Sequence, residues 1–67
     1  MKMTPVSSSN LSAVGYENGI LYIRFHSGAL YRYYDVPEIV YQELMSAASH
    51  GKYFAANIRK VYRYQKL

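Results

Sequence analysis

The segment from Gly28 to Pro37 constrains the fold more than any other part of the chain. It reads Gly-Ala-Leu-Tyr-Arg-Tyr-Tyr-Asp-Val-Pro, a run of strand-forming residues between a glycine and a proline. Glycine accepts the positive φ of a tight turn, whereas proline suits the first turn of a helix and cannot sit in a central strand. The segment therefore predicts one strand, with hairpin structure before it and helix after it.

The pair Asn18-Gly19 predicts a hairpin between strands at residues 10–17 and 20–26. It separates two alternating runs, and both of its residues accept the positive φ that a type I′ turn requires. With a two-residue loop, the facing pairs are Glu17 with Ile20, Tyr16 with Leu21, and Val14 with Ile23. A three-residue loop with a bulge at Gly19 would instead turn inward Leu11, Ala13 and Gly15. The sequence leaves both registers open.

The second predicted turn is His26-Ser27-Gly28, with Gly28 in the left-handed region of a three-residue loop. The facing pairs are then Phe25 with Ala29, Ile23 with Tyr31, and Leu21 with Tyr33. This register turns the apolar side chains toward the helices. The opposite face carries a mixed set, namely Ile20, Tyr22, Arg24, Leu30, Arg32 and Tyr34. That face is either an ordinary outer sheet surface or a surface that stacks bases and binds phosphates.

Two helices are predicted after the sheet. The first, residues 37–48, begins at Pro37, and Glu38 lies near the positive end of its dipole. Its apolar stripe consists of Val40, Tyr41, Leu44, Ala47 and Ala48. The second helix, residues 51–60, has a shorter stripe of Phe54, Ile58 and either Val61 or Tyr62. Residues 62–67 alternate, which is typical of an extended segment against the sheet or of a basic tail.

The predicted fold is therefore α+β, a three-stranded antiparallel meander (β-β-β) packed on one face by two C-terminal helices. One domain is placed at residues 9–64, between a flexible tail at residues 1–8 and a short tail at residues 65–67. The 67 residues include no cysteine, so neither disulfides nor thiolate zinc sites can support a small core. Without a leader-like or membrane-spanning segment, a cytoplasmic protein is expected.

Charge and tyrosine content indicate the class of partner. Eight Lys/Arg residues against four Asp/Glu residues give a formal charge of +4, and the chain has nine tyrosines without a tryptophan. No acidic residue follows Glu43, whereas most basic residues lie near the C-terminus, namely Lys52, Arg59, Lys60, Arg63 and Lys66. A positive surplus favours anionic partners, and tyrosine suits both half-buried sheet positions and base stacking.

The side chains that carry catalysis are sparse. There is no thiol, and the two histidines and four acids are scattered without metal-ligand spacing. His26 in a turn and His50 between the helices are expected to be solvent-exposed loop residues. Ser49 and Gly51 either cap the second helix or form an anion site with Lys52. The sequence therefore predicts neither an enzyme, a metal site nor a cofactor.

A family resemblance accompanies these patterns. The series Gly28-x-x-Tyr31-x-Tyr33-x-x-Val36-Pro37, followed by Val40-Tyr41, Ala47-x-Ser49-x-Gly51-x-Tyr53-Phe54 and Ile58-Arg59-x-x-Tyr62, resembles the KTSC domain. That family is named for a segment at the C-terminus of some lysyl-tRNA synthetases, and it includes stand-alone bacterial or phage proteins. The structural signature that the resemblance implies is Gly28, Tyr31, Tyr33, Val36, Pro37, Ser49, Gly51, Phe54 and Ile58. Family members often have Asn at the position of Ala55. In this chain, Asn57 is the candidate that could supply the side-chain amide in its place.

The attachment of this family to a synthetase implies RNA binding. We therefore expect a non-enzymatic module that binds nucleic acid, either RNA or single-stranded DNA. Its predicted binding residues are Tyr22, Arg24, Arg32, Tyr34, Lys52, Arg59, Lys60 and Arg63. The competing hypothesis is a small protein-interaction or homo-oligomerising domain that docks through the open sheet face or an edge strand. A continuous surface between the sheet arginines and the C-terminal bases would favour nucleic acid.

Overall fold

The computed structural model describes residues 2–67, which form a five-stranded antiparallel sheet and two helices. The elements are β1 (Thr4–Pro5), β2 (Leu11–Glu17), β3 (Ile20–Phe25), β4 (Leu30–Tyr33), α1 (Glu38–Ser46), α2 (His50–Asn57) and β5 (Tyr64–Lys66). The strand order in the sheet follows the chain from β1 to β5. The predicted α+β class is confirmed, but the prediction of a three-stranded meander is wrong because a short strand is added at each edge.

The two additional strands are short edge strands. β1 pairs with β2 through Thr4 and Pro5, and β5 pairs with β4, where Tyr64 faces Tyr33. β1 lies within the segment predicted as the N-terminal tail, and β5 overlaps the predicted C-terminal tail. Runs of two or three residues carry no detectable periodicity, and their pairing depends on the free edges of β2 and β4. Of the two alternatives for residues 62–67, the extended segment against the sheet is present.

The first hairpin has the predicted two-residue loop. Asn18 has a φ of 54° and Gly19 a φ of 78°, and the three facing pairs predicted for that loop are all present. β2 also contains an irregularity between Leu11 and Ala13, where its register shifts against β3. The shift places both Leu11 and Val14 in the core, each with no exposed surface. A regular strand would send residues of odd and even number to opposite faces.

The second hairpin also follows its prediction. Gly28 has a φ of 95°, its N–H donates to the Phe25 carbonyl at 2.9 Å, and the Phe25 N–H donates to the Ala29 carbonyl at 2.9 Å. Ile23 faces Tyr31, and Leu21 faces Tyr33. This register directs the signature tyrosines toward the helices and leaves the arginines of β3 and β4 on the opposite face of the sheet.

Both helices are shorter than predicted. Pro37 is the N-cap of α1, with a ψ of 149°, and is not the first helical residue. The extended backbone of Ala47, with a ψ of 144°, ends α1 before the predicted limit. α2 begins after Ser49, whose Oγ accepts the Lys52 N–H at 3.2 Å, so Ser49 has the predicted capping role. Beyond Asn57 the chain turns and leads into β5.

The core lies between the helices and one face of the sheet. Leu44 of α1, Phe54 of α2 and the following Ile58 are its buried contributions from the helical half. Tyr62 packs against this core, whereas Val61 is 63% exposed. Of the two candidates for the last position of the second apolar stripe, Tyr62 is therefore the one that is present. Ala48, predicted in the first stripe, is exposed because α1 has already ended. Packing on one side leaves the other sheet face open, so the molecule presents two distinct surfaces.

Candidate nucleic-acid interface

A groove lies on the helical side of the sheet, between the strands and α2. Its volume is about 890 Å³. Six aromatic side chains line it, namely Phe25, Tyr31, Tyr33, Phe54, Tyr62 and Tyr64. We call this feature the aromatic groove. Its lining also includes Arg59, Lys60 and His26, and it contains no aspartate or glutamate. The groove therefore combines aromatic rings with positive charge.

The rings of the aromatic groove are packed against one another. The Tyr64 ring centre lies 5.8 Å from that of Tyr31 and 5.6 Å from that of Tyr33. Tyr33 in turn meets Phe54 edge-on at 5.5 Å. Tyr33 is 3% exposed, whereas Tyr64 is 56% exposed. The cluster thus has a buried floor and half-buried walls, and its most exposed ring, Tyr64, lies at the margin.

Arg59 and Lys60 supply the cationic part of the groove. They follow α2 in the turn that leads toward β5. Burial, with the adjacent hydroxyls of Tyr31 and Tyr64, raises the pKa of Tyr33 to about 12, while the charge of Arg59 opposes that rise. The positive charge of Arg59 therefore acts at the Tyr33 hydroxyl, inside the aromatic cluster.

The opposite side of the sheet carries a separate cluster. We call this side the open sheet face. The Arg32 Nη2 donates to the Gln65 Oε1 at 3.0 Å, and the Tyr34 hydroxyl donates to the same oxygen at 2.8 Å. The Arg63 guanidinium lies 5.0 Å from the Tyr34 ring centre and pairs with Asp35 at 3.5 Å. These side chains already contact one another without an added partner.

The predicted binding residues are divided between these surfaces. On the open sheet face lie Tyr22, Arg24, Arg32, Tyr34 and Arg63. Arg59 and Lys60 line the aromatic groove, and the exposed Lys52 on the first turn of α2 lines neither surface. Alternation along β5 causes part of the division, because Arg63 and Gln65 point to one face while Tyr64 and Lys66 point to the other. The predicted residues therefore do not form one continuous surface.

Sequence reasoning missed the groove itself. The predicted register placed Tyr31 and Tyr33 in the core, and they were therefore interpreted as structural, although Tyr31 is only half-buried and both line the groove. Tyr64 was not singled out at all. The alternation of residues 62–67 was the available signal, since an extended segment beside β4 would bring every second side chain next to the signature tyrosines.

Three smaller expectations concern His26, His50 and Asn57. The exposed His26 ring Nε2 lies 2.7 Å from the Ser8 carbonyl oxygen. His50 is not an exposed loop residue, because it begins α2, is half-buried and contacts the Leu44 carbonyl at 2.8 Å. Ala55 lines the groove, whereas the Asn57 amide donates to the Tyr53 carbonyl at 3.2 Å. Asn57 therefore does not place its amide where the family often has asparagine.

Within residues 2–67, no group of three or more His, Cys, Asp or Glu side chains is placed to hold a metal ion. Neither α1 nor α2 has the length and apolarity that crossing a membrane requires.

Comparison with known proteins identifies the family. The KTSC domain profile matches residues 7–62. A protein of Stutzerimonas stutzeri, described as uncharacterized, is 43% identical over 70 residues, covering 100% of this chain and 99% of its own. A Nostoc lysine–tRNA ligase is 40% identical over 47 residues, covering 70% of this chain and 8% of the ligase. The crystal structure of a KTSC domain protein from Yersinia pestis superposes with a TM-score of 0.95 at 37% identity, covering 98% of this chain and 96% of its own. The chain belongs to the KTSC domain family.

Proposed function

We propose that this KTSC domain is a non-enzymatic module that binds RNA through the aromatic groove. The observation that carries the proposal is the composition of the groove, which has six aromatic rings, two basic side chains and no acid in its lining. Proteins that bind single-stranded nucleic acid combine aromatic rings for the bases with positive charge for the backbone. Each stacked base contributes about 1–3 kcal/mol.

The partners of the basic side chains favour the groove over the open sheet face as the binding site. Within residues 2–67, the only ion pair joins Arg63 to Asp35, so Arg59 and Lys60 have no acidic partner. On the open sheet face, Arg63 pairs with Asp35 and Arg32 shares the oxygen of Gln65 with Tyr34, whereas Arg24 is exposed and stands apart from this cluster. We therefore assign direct contact to Arg59 and Lys60. The remaining basic residues, including Arg24 and Lys52, contribute long-range attraction through the positive field of the domain.

RNA is preferred to DNA on the basis of a relative. The Nostoc protein that shares this segment is a lysine–tRNA ligase, an enzyme whose name specifies tRNA. Absence of catalysis is proposed because the groove has one imidazole, His26, and no carboxylate to act beside it.

A titration tests the proposal directly. Fluorescence anisotropy would follow labelled single-stranded RNA, single-stranded DNA and duplex RNA of about 12 nucleotides at several salt concentrations. We expect single-stranded RNA to bind most tightly and the affinity to fall as salt rises. Absence of RNA binding at low salt, where cationic contacts are strongest, would overturn the proposal.

Two matched double variants separate the groove from net charge. Arg59→Ala with Lys60→Ala removes the cations of the groove, and Arg24→Ala with Lys52→Ala removes one arginine and one lysine outside it. All four residues are exposed, so neither variant should disturb the core. We expect the groove variant to lose about tenfold in RNA affinity and the control to lose much less. Equal losses would show that binding depends on total charge and not on the groove.

The competing function is docking of a protein through the open sheet face. Half-buried Ile20, Tyr22 and Leu30 on that face favour it. The sheet edges favour it less, because β1 has two residues including Pro5 and β5 has three. Sedimentation velocity of the free protein would detect self-association, and a stable dimer disrupted by Tyr22→Glu would support this function.

A further inference from the structure

We infer that the aromatic groove binds a single unpaired nucleotide of the RNA, at a strand end or in a loop, with its base on Tyr64 and its phosphate at Arg59 and Lys60. The inference rests on the proposed function and specifies the form of nucleic acid that the groove accepts. A duplex, whose bases are stacked inside the helix, is excluded.

The ring geometry favours Tyr64 as the stacking surface. Tyr64 lies 5.8 Å from Tyr31 and 5.6 Å from Tyr33 between ring centres. These are the separations of aromatic pairs already in contact, about 4.5–7 Å, so no base can enter between the rings. Tyr33 is 3% exposed and cannot present a ring face, whereas Tyr64 is 56% exposed. The exposed side of Tyr64 is therefore the stacking surface.

The groove has the dimensions of a small-molecule site. Its volume of about 890 Å³ lies within the range of small-molecule sites, about 300–1,000 Å³. The whole molecule extends only 25 × 23 × 23 Å, so the groove is a local site and not a long track. A base inside a duplex is covered on both faces by its neighbours and must unstack before it can lie on Tyr64, whereas an unpaired nucleotide avoids most of that cost.

The charged side chains define where the phosphate lies. Arg59 and Lys60 are adjacent in the chain and both line the groove. Arg59 is close enough to Tyr33 for its charge to act on that hydroxyl. Asn10 and His26 add hydrogen-bonding groups to the lining. A nucleotide in this position meets the exposed ring of Tyr64 and two cations, which are the complements of its base and its phosphate.

Competition with small probes tests the inference. Adenosine 5′-monophosphate and ribose 5-phosphate would each displace labelled single-stranded RNA from the full chain, with two-dimensional NMR recording the residues that they perturb. We expect the nucleotide to compete about tenfold more strongly than the sugar phosphate, because only the nucleotide can stack. The perturbed signals should be those of Tyr64, Tyr31 and Arg59, and not those of Tyr22 or Tyr34.

Variants of Tyr64 supply an independent measurement. Tyr64→Ala should weaken RNA binding about tenfold, Tyr64→Phe should retain it, and Val61→Ala, which alters a nearby exposed side chain outside the groove, should leave it unchanged. Circular dichroism and urea unfolding would show that each variant is folded. Should Tyr64→Ala not fold, the NMR perturbation of the unchanged chain decides the question.

The outcomes distinguish this inference from the proposed function. If RNA binds but the two small probes compete equally, the nucleotide perturbs only the open sheet face, or duplex binds as tightly as single strand, the inference is overturned while RNA binding stands. If RNA does not bind at low salt, the proposed function fails as well.

Discussion

At the scale of single residues, Gly28 has a conformation that other residues rarely adopt. Its φ is 95°, and an added Cβ would have no atom within 4 Å. Gly28→Ala should therefore lower the free energy of unfolding by about 1–2 kcal/mol through backbone strain alone. Urea unfolding measures the change, and Ser7→Ala, at an exposed serine outside the turn, is the control. A Gly28→Ala variant as stable as the native chain would contradict this account of the turn.

Tyr33 and Tyr53 should make stability fall at alkaline pH. Burial raises the pKa of Tyr33 to about 12, and the hydrogen bond that Tyr53 donates to the Glu43 carboxylate at 2.6 Å raises the pKa of Tyr53 to about 12. In the unfolded chain these hydroxyls ionise near pH 10. The unfolded state therefore binds fewer protons between about pH 10 and 12, so the free energy of unfolding decreases across that window.

The measurement is the urea midpoint at intervals from pH 9 to 12, together with the tyrosinate absorbance of the folded protein. Tyr33→Phe should flatten the decrease, because phenylalanine has no proton to release. If all nine tyrosines of the folded chain ionised together near pH 10, the predicted shifts would be wrong.

At the scale of elements, α2 depends on the side-chain cap at its first turn. Ser49 Oγ accepts the Lys52 N–H at 3.2 Å, and this turn contains no acidic residue that would favour the helix dipole. Ser49→Ala should cost about 1 kcal/mol, whereas Ser49→Asp should retain the cap and add a favourable charge. Thermal unfolding of both variants would measure this, with Ser7→Ala, at an exposed serine outside the helices, as the control. Equal stability of the two Ser49 variants would exclude the cap as a contributor.

The same scale shows which elements the sequence could predict. The residue types of Asn18-Gly19 and Gly28 indicate the turns between β2, β3 and β4 directly, so these strands and the register of the second hairpin were predictable. The register of the first hairpin was left open between two loop lengths, and the structure has the two-residue loop. β1 and β5 form only because β2 and β4 leave hydrogen-bonding edges free, and that information is not local to their few residues. The register shift at Leu11 is similar, since it is fixed by the burial of Leu11 and Val14 together. Local patterns predict elements that form local pairs, and short edge strands require the rest of the sheet.

At the scale of the whole molecule, the sequence predicted a basic C-terminal region but not its division between two faces. Arg59 and Lys60 are among the residues predicted to bind nucleic acid, and in the structure they line the aromatic groove. Arg63, only three residues beyond Lys60, lies on the open sheet face with Tyr34. The division follows from the path of the chain out of α2 into β5 and from the alternation of β5, which charge content alone does not reveal.

This division makes the salt dependence of RNA binding a test of the whole surface. For single strands, the slope of log K against log salt concentration is about −0.7 for each phosphate neutralised. One phosphate held by Arg59 and Lys60 together should give a slope of about −0.7, whereas a strand that wrapped around β5 and paired a phosphate with each of the six basic residues predicted to bind would give about −4. We expect the smaller slope for a hexanucleotide, measured by anisotropy between about 50 and 200 mM salt. The Arg59→Ala, Lys60→Ala variant should then show almost no slope, while the Arg24→Ala, Lys52→Ala control keeps it. A steep slope that both variants reduce equally would mean that RNA contacts both faces of the domain, and the groove would then be only one part of a larger site.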